Sequence, residues 1–305
     1  QLIKKQILFS MHSNLDRNIK YVFVSYIDWY QGFNTQNNIV NELFKICGIE
    51  AIQTTLEDAD LVIAGCYGDQ ILERSNLMYD KLVMFISGEN LNPCYEIHDF
   101  SFTTQPNTYC GKNIRLPQWI GELKEGNGYH YLDGIQDIPL NHDRDIMFSS
   151  IYNNSTPQRE EVISYLRLKF GHENVQVYGS MRGSGEIKKF EILARSRINI
   201  CFENSIGEGY ITEKLLHSAV LGCNSLYWGD YYYKNDFITD NVFNLYEERN
   251  FDKMEEWCRR SLNKSNIKPI KRINDLSILL RNRPDLNNLA NHLRNWVNLI
   301  LLSRL

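Results

Sequence analysis

Residues 202–230 read FENSIGEGYITEKLLHSAVLGCNSLYWGD, and the fold turns on how this stretch is parsed. The run that leads into it, INICFE (198–203), is short and apolar and is closed by an acid. That pattern predicts a buried parallel strand delivering Glu203 and Asn204 to a sheet edge, where open α/β sheets bind ligands. Gly207 and Gly209 allow a tight turn and a close backbone approach. A helix is then expected from about Tyr210 to Gly222, followed by a second buried strand, NSLYWG. Its free N–H groups and positive dipole end face the same edge, with Lys214 in an early turn. These parts suit an anion, most simply a diphosphate. Glu213 projects about 100° from Lys214 and is read as free to accept hydrogen bonds from sugar or ribose hydroxyls. The plainer alternative is a helix whose Glu and Lys are merely solvated. Neither GxGxxG nor GxxxxGK[ST] is present.

Outward from this unit, strands and helices alternate. DIMFSSIY, TPQREEVISYLRLKFG, VQVYG and EIKKFEILARS read as strand, helix, strand and helix before INICFE; NVFNLYE and a helix near 251–262 follow NSLYWG. In the first half YVFVSYI (21–27), DLVIAG (60–65) and LVMFISG (82–88) read as strands, and NNIVNELFKICG as a helix stopped by Gly48. Residues 89–140 read as long loops. The tail, 285–305, spaces Leu286, Leu289, Ala290, Leu293, Trp296, Val297, Ile300 and Leu301 as one helical face. A helix docked on the body is expected there; a membrane-surface helix is the alternative, although its polar face is mostly Asn.

The 305 residues suit two cores of about 140–150 residues each. The best boundary is IQDIPLNHD (135–143), giving domains 1–140 and 141–284 and a docked helix 285–305. Net charge is −4, which argues against nucleic acid as a partner. The seven cysteines are odd in number and never spaced CxxC, and they read as reduced core thiols. The seven histidines form no HxH or HExxH pattern, so no metal site is expected. No apolar run reaches the roughly 18 residues of a membrane span. The chain begins at Gln1 rather than methionine, which suggests trimming and leaves a missing anchor open.

FENSxxxxYITEK followed by GxxxxxYWG resembles the donor-binding motif of the α1,3/α1,4-fucosyltransferases, glycosyltransferase family 10, in its bacterial-type pattern. MFISGEN (84–90) resembles the strand and Gly-Glu-Asn of that family's acceptor domain. IRLPQWI (114–120) resembles its Arg-x-Pro segment, and STPQREEVISYL with VYG its first donor-domain unit. The resemblance spans about residues 20–250. Heptad repeats, a basic amphipathic tail and C-terminal cysteine pairs of some members are absent. It implies an α/β, GT-B-like fold of two Rossmann-like domains facing across a cleft, here with a C-terminal amphipathic helix. It implies inverting transfer of L-fucose from GDP-β-L-fucose to a glycan hydroxyl, such as O3 of N-acetylglucosamine in a lactosamine-type acceptor. No cofactor or divalent metal is implied beyond the donor itself.

Residue by residue, the resemblance makes Glu89 the base and Arg159 and Lys214 the cations that meet the phosphates. It makes Asn204, Tyr210 and Glu213 further donor contacts: Tyr210 to a phosphate oxygen, Asn204 and Glu213 to fucose or ribose hydroxyls. The plainer alternatives are a loop acid for Glu89, a solvated helix charge for Arg159, a core aromatic for Tyr210 and a structural carboxylate for Glu203. Acceptor specificity is expected in loops 28–38 and 89–135, where Trp29, Tyr30, Tyr95 and Trp119 could stack on sugars. The competing functions are a transferase for another nucleotide sugar and a nucleotide- or glycan-binding protein without turnover. A bacterial source implies the cytoplasm, with peripheral attachment to the inner membrane left open. A eukaryotic source trimmed of its anchor implies the Golgi lumen.

Overall fold

The computed structural model describes residues 21–69, 71, 81–106, 111–123, 144–179, 185–238, 240–263 and 286–302. Two sheets carry the fold. The first contains β1 (Tyr21–Ile27), β2 (Glu50–Gln53), β3 (Leu61–Ala64), β4 (Leu82–Ile86), β5 (Phe100–Thr103) and β6 (Asn113–Arg115), in the order β2-β1-β3-β4-β5-β6. The pairs β1–β2, β1–β3, β3–β4 and β5–β6 run parallel. β3 is buried along its whole length, as an apolar run without alternation requires when both faces are covered. Two strands, β5 and β6, and a 3₁₀ turn (Gln118–Leu123) occupy the segment read as loops. They are only four and three residues long, which hides the strand signal, and their polar positions pair inside the sheet, where the Ser101 and Thr103 hydroxyls donate to Asn113 Oδ1.

The helix α1 (Ile39–Ile46) buries Val40, Leu43 and Phe44 and is capped by Asn38, whose side chain accepts from the Val40 and Asn41 N–H groups. On this helix packs the C-terminal one, Leu286–Leu302. Leu289, Ala290, Leu293, Trp296 and Val297 are buried, each contributing on the order of 1–3 kcal/mol of apolar burial for the larger side chains. The Arg294 guanidinium donates to the Cys47 carbonyl at 2.9 and 3.2 Å, and Trp296 stacks on Phe100. Among the described residues, no helix is long and apolar enough to cross a membrane.

The second sheet contains β7 (Ile146–Ile151), β8 (Val175–Tyr178), β9 (Ser196–Phe202), β10 (Asn224–Trp228) and β11 (Val242–Asn244), in the order β11-β10-β9-β7-β8. Its longer helices are α2 (Pro157–Phe170), α3 (Gly185–Arg195), α4 (Glu213–Val220) and α5 (Phe251–Asn263), and the C-terminal helix is α6. The chain leaves β7 toward β8 at one edge and leaves β9 toward β10 on the other side. The carboxyl ends of β7 and β9 therefore flank the switch point of the sheet, where such folds open a crevice. Phe148, Val162, Ile163, Leu166, Ile198, Ile200 and Leu226 form the core beneath it.

By packing, the chain divides into one unit of Gln1–Phe85, Tyr95–Phe100 and Asp285–Leu305 and another of Ile86–Cys94 and Ser101–Pro284. The turn after β4, with Glu89, thus counts with the second sheet. The boundary expected at 135–143 lies outside the described residues.

Candidate functional site

The site begins with Glu203, fully buried one residue past β9. Its Oε1 accepts the Thr212 N–H at 2.9 Å and the Tyr227 hydroxyl at 3.2 Å. Its Oε2 accepts the Thr212 hydroxyl at 2.7 Å and the Lys214 ammonium at 3.3 Å. Burial, then the Glu203 charge, push the Tyr227 hydroxyl well above its ordinary pKa, so it stays a donor. Glu203 is therefore the fastening of the helix start rather than a free acid. Because Thr212 is held this way and caps the Lys214 N–H, α4 starts at Glu213, three residues later than the sequence pattern suggests.

Lys214 sits in the first turn of α4, its Nζ 2.9 Å from the Thr212 hydroxyl and 3.7 Å from Glu213 Oε1. Burial pulls its pKa down, but the Glu203 and Glu213 carboxylates outweigh that and hold it above the ordinary lysine value. Glu213 is not free, as the sequence reading had it. Its Oε1 lies between Lys214 at 3.7 Å and Lys189 Nζ, on α3, at 3.8 Å. Burial would raise its pKa; Lys214, Lys189 and His217 overcome this and bring it to about 2. It is a fixed anion at physiological pH.

Arg159 is not a solvated helix charge. It lies on the inward stripe of α2 with Val162, Ile163 and Leu166 and is 1% exposed. Its guanidinium donates to the Asn154 carbonyl and, at 2.7 Å, to the Phe202 carbonyl, and stacks 4.5 Å from the Tyr152 ring centre. Burial lowers its pKa, with Tyr152, Glu160 and Glu203 opposing; arginine stays charged. Five N–H donors leave this group capacity beyond two carbonyls. Arg159, Lys189 and Lys214 line one recess with Asn199, Ile151 and Leu193. Its volume is about 20 Å³, room for one water, so a phosphate would rest at its mouth.

The turn after β9 is built by backbone contacts. Gly209 has φ +74, and a Cβ there would lie 2.5 Å from the Thr104 carbonyl oxygen. Its N–H donates to Asp230 Oδ1 at 3.1 Å, and its carbonyl accepts from Arg115 Nη2 at 3.0 Å. Arg115 also forms a bidentate pair with the buried Asp236, at 2.7 Å for each oxygen. The Trp119 indole N–H donates to Asp236 at 2.9 Å and the ring is fully buried, so the expectation that Trp119 stacks on a sugar is corrected. Tyr210 is also buried, and Asn204 is exposed on the turn.

Glu89 lies half-buried in the turn after β4, its N–H donating to Ser87 Oγ at 3.0 Å. Its neighbour Asn90 donates to Ser205 Oγ at 3.1 Å and to the Ile206 carbonyl at 3.0 Å. A Cβ on Gly207 would run into the Asn90 side-chain amide, so the glycine leaves room for this contact. The Glu89 turn and the turn after β9 are thereby stapled together. Sequence reading missed Asn90, Lys189 and the Arg115–Asp236 pair. Gly207 opposite an amide is the kind of signal visible only once the turns are brought together. Among the described residues, no group of three or more His, Cys, Asp or Glu could hold a metal.

Comparison with known proteins gives consistent findings. The family model of the alpha-(1,3)-fucosyltransferase FucT N-terminal domain matches residues 24–121. Alpha-(1,3)-fucosyltransferase FucT of Helicobacter pylori is 21% identical over 246 residues, covering 68% of this chain and 49% of that protein. The chain thus spans about half the length of this curated relative. A crystal structure of an α1,3-fucosyltransferase matches the fold with a TM-score of 0.60 at 18% identity, covering 83% of this chain and 84% of the other. Its forms with GDP-fucose and with GDP match at 0.57, with the same identity and coverage.

Proposed function

We propose, on the premise that this chain is a relative of the α1,3-fucosyltransferases of glycosyltransferase family 10, that it transfers L-fucose from GDP-β-L-fucose to a glycan hydroxyl with inversion. The observation that carries this is that Arg159 and Lys214, from different βα units, line one recess at the switch point of the second sheet. In this reading the donor diphosphate rests at the mouth of that recess. Glu89 takes the proton of the acceptor hydroxyl, whose oxygen bonds to fucose C1 on the face opposite GDP. The C1–O bond to the β-phosphate breaks, and the leaving oxygen keeps the electron pair, stabilised by Arg159 and Lys214. Asn204 and Tyr210 belong to the donor turn, with Tyr210 shaping it from the core. O3 of N-acetylglucosamine is the proposed acceptor atom, and the exposed Tyr30 a candidate for sugar stacking.

Two measurements test this reading. GDP and GDP-fucose raise the thermal midpoint, since a ligand held only by the folded state adds about 2.7 kcal/mol at a hundredfold excess over Kd. UDP-glucose leaves the midpoint unchanged; an equal shift with it would overturn the donor assignment. With protein cations carrying the leaving-group charge, GDP release in the presence of a lactosamine acceptor persists in EDTA. Complete loss of turnover in EDTA, restored by Mn²⁺, would show that a metal carries that charge instead.

A further inference from the structure

We propose that Lys189 is a third cation of the diphosphate site and supplies the positive surplus that lets it hold an anion. The inference rests on the donor reading above and goes beyond it, because Lys189 lies outside the FENS…YITEK motif, on a helix with its own solvated-looking charges.

The argument is one of charge balance. Arg159, Lys189 and Lys214 line the recess. Among the described residues, two carboxylates pair with this set: Glu203, 3.3 Å from Lys214, and Glu213, 3.7 Å from Lys214 and 3.8 Å from Lys189. Burial works against the charge on Glu213, but Lys214, Lys189 and His217 overcome it and keep that carboxylate ionised near neutral pH, while Glu203 is bonded by the Thr212 N–H and hydroxyl as well as by Lys214. Without Lys189, two cations would face two carboxylates and the site would be neutral toward an arriving diphosphate. With it, one positive charge is left over. Glu160 also acts on Arg159, but it is exposed and held by Tyr152 and Ser155, where water screens it.

Lys189 is also placed to move. Its separation from Glu213, 3.8 Å, is that of a loose ion pair, and its side chain is about one-fifth exposed, at 22%. Its flexible stem and three donors can turn from Glu213 to a phosphate oxygen without unfolding anything. Lys214, by contrast, is tied to Thr212 and Glu203 and has less freedom.

The test is calorimetric titration with GDP and with guanosine. In Lys189→Gln, GDP affinity falls about tenfold or more, the value of one charge-assisted contact, while guanosine affinity stays at the wild-type value. Lys189→Arg restores most of the loss, and Lys188→Gln, which removes an exposed charge one residue away, binds GDP like wild type. To separate a phosphate contact from a role confined to pinning Glu213, the same substitution is made in Glu213→Gln, where the loss persists. Equal GDP affinity in wild type and Lys189→Gln, an equal fall for guanosine, or no further loss in the Glu213→Gln background would each overturn the proposal. Failure of the wild type to bind GDP would instead overturn the donor reading, and this inference with it.

Discussion

In Glu89→Gln, fucosyl transfer is expected to fall by about 10²-fold or more, with GDP affinity nearly unchanged. The substitution keeps the shape of the side chain and removes its basicity. Contacts outside the carboxylate help to hold its turn: the Glu89 N–H to Ser87, and Asn90 to Ser205 and Ile206. The donor turn should therefore stay in place, and the thermal midpoint should not move. A general base contributes only while the acceptor proton is in flight, so the loss belongs in kcat rather than in donor binding. Initial rates beside a GDP titration separate the two. Near-normal transfer would place the base elsewhere. Of the other acids on that stretch, Asp99 already accepts the Val83 N–H at 2.9 Å, which leaves the exposed Glu96 as the next to test.

The same residues show what a sequence can and cannot disclose. Strand β9 and the order of the second sheet's elements were legible because apolar runs closed by Gly or acids mark buried parallel strands. In the tail, the apolar stripe repeats over several turns, and Leu289, Leu293, Trp296 and Val297 of that stripe are buried. β5 and β6 were not legible, because they are only four and three residues long, too short for the alternation of Phe100 and Phe102 with Ser101 and Thr103 to stand out as a period. Arg159 carried a signal that could have been read further: it takes the first place in an i, i+3, i+4, i+7 stripe otherwise filled by Val162, Ile163 and Leu166. A cation in such a stripe is either badly placed or needed. The pairing of Lys189 with Glu213 carried none, since it depends on how α3 and α4 lie beside each other. Trp119 misled because an aromatic in an irregular segment suggests a ligand platform, whereas Asp236, far away in sequence, supplies its indole partner.

Lys214→Ala is expected to weaken GDP binding about tenfold or more and to lower kcat by about 10²–10³-fold. Both effects arise because its charge meets the diphosphate in the ground state and meets a larger charge as the leaving oxygen separates. The difficulty is that Lys214 also neutralises Glu203, which is fully buried, so its removal leaves that carboxylate with only neutral donors: the Thr212 N–H and hydroxyl and the Tyr227 hydroxyl. Part of any loss would then be a disturbed helix start rather than a missing phosphate contact. The double variant Lys214→Ala, Glu203→Gln removes the orphaned charge along with the lysine. If the lysine acts on the donor, the double variant regains thermal stability while GDP affinity and kcat stay low. If instead it acts only as the counter-ion of Glu203, relieving Glu203 restores both. Recovery of GDP binding in the double variant, or unaltered binding in Lys214→Ala alone, would reduce Thr-Glu-Lys to a well-fastened helix start and leave Arg159 and Lys189 to hold the phosphates.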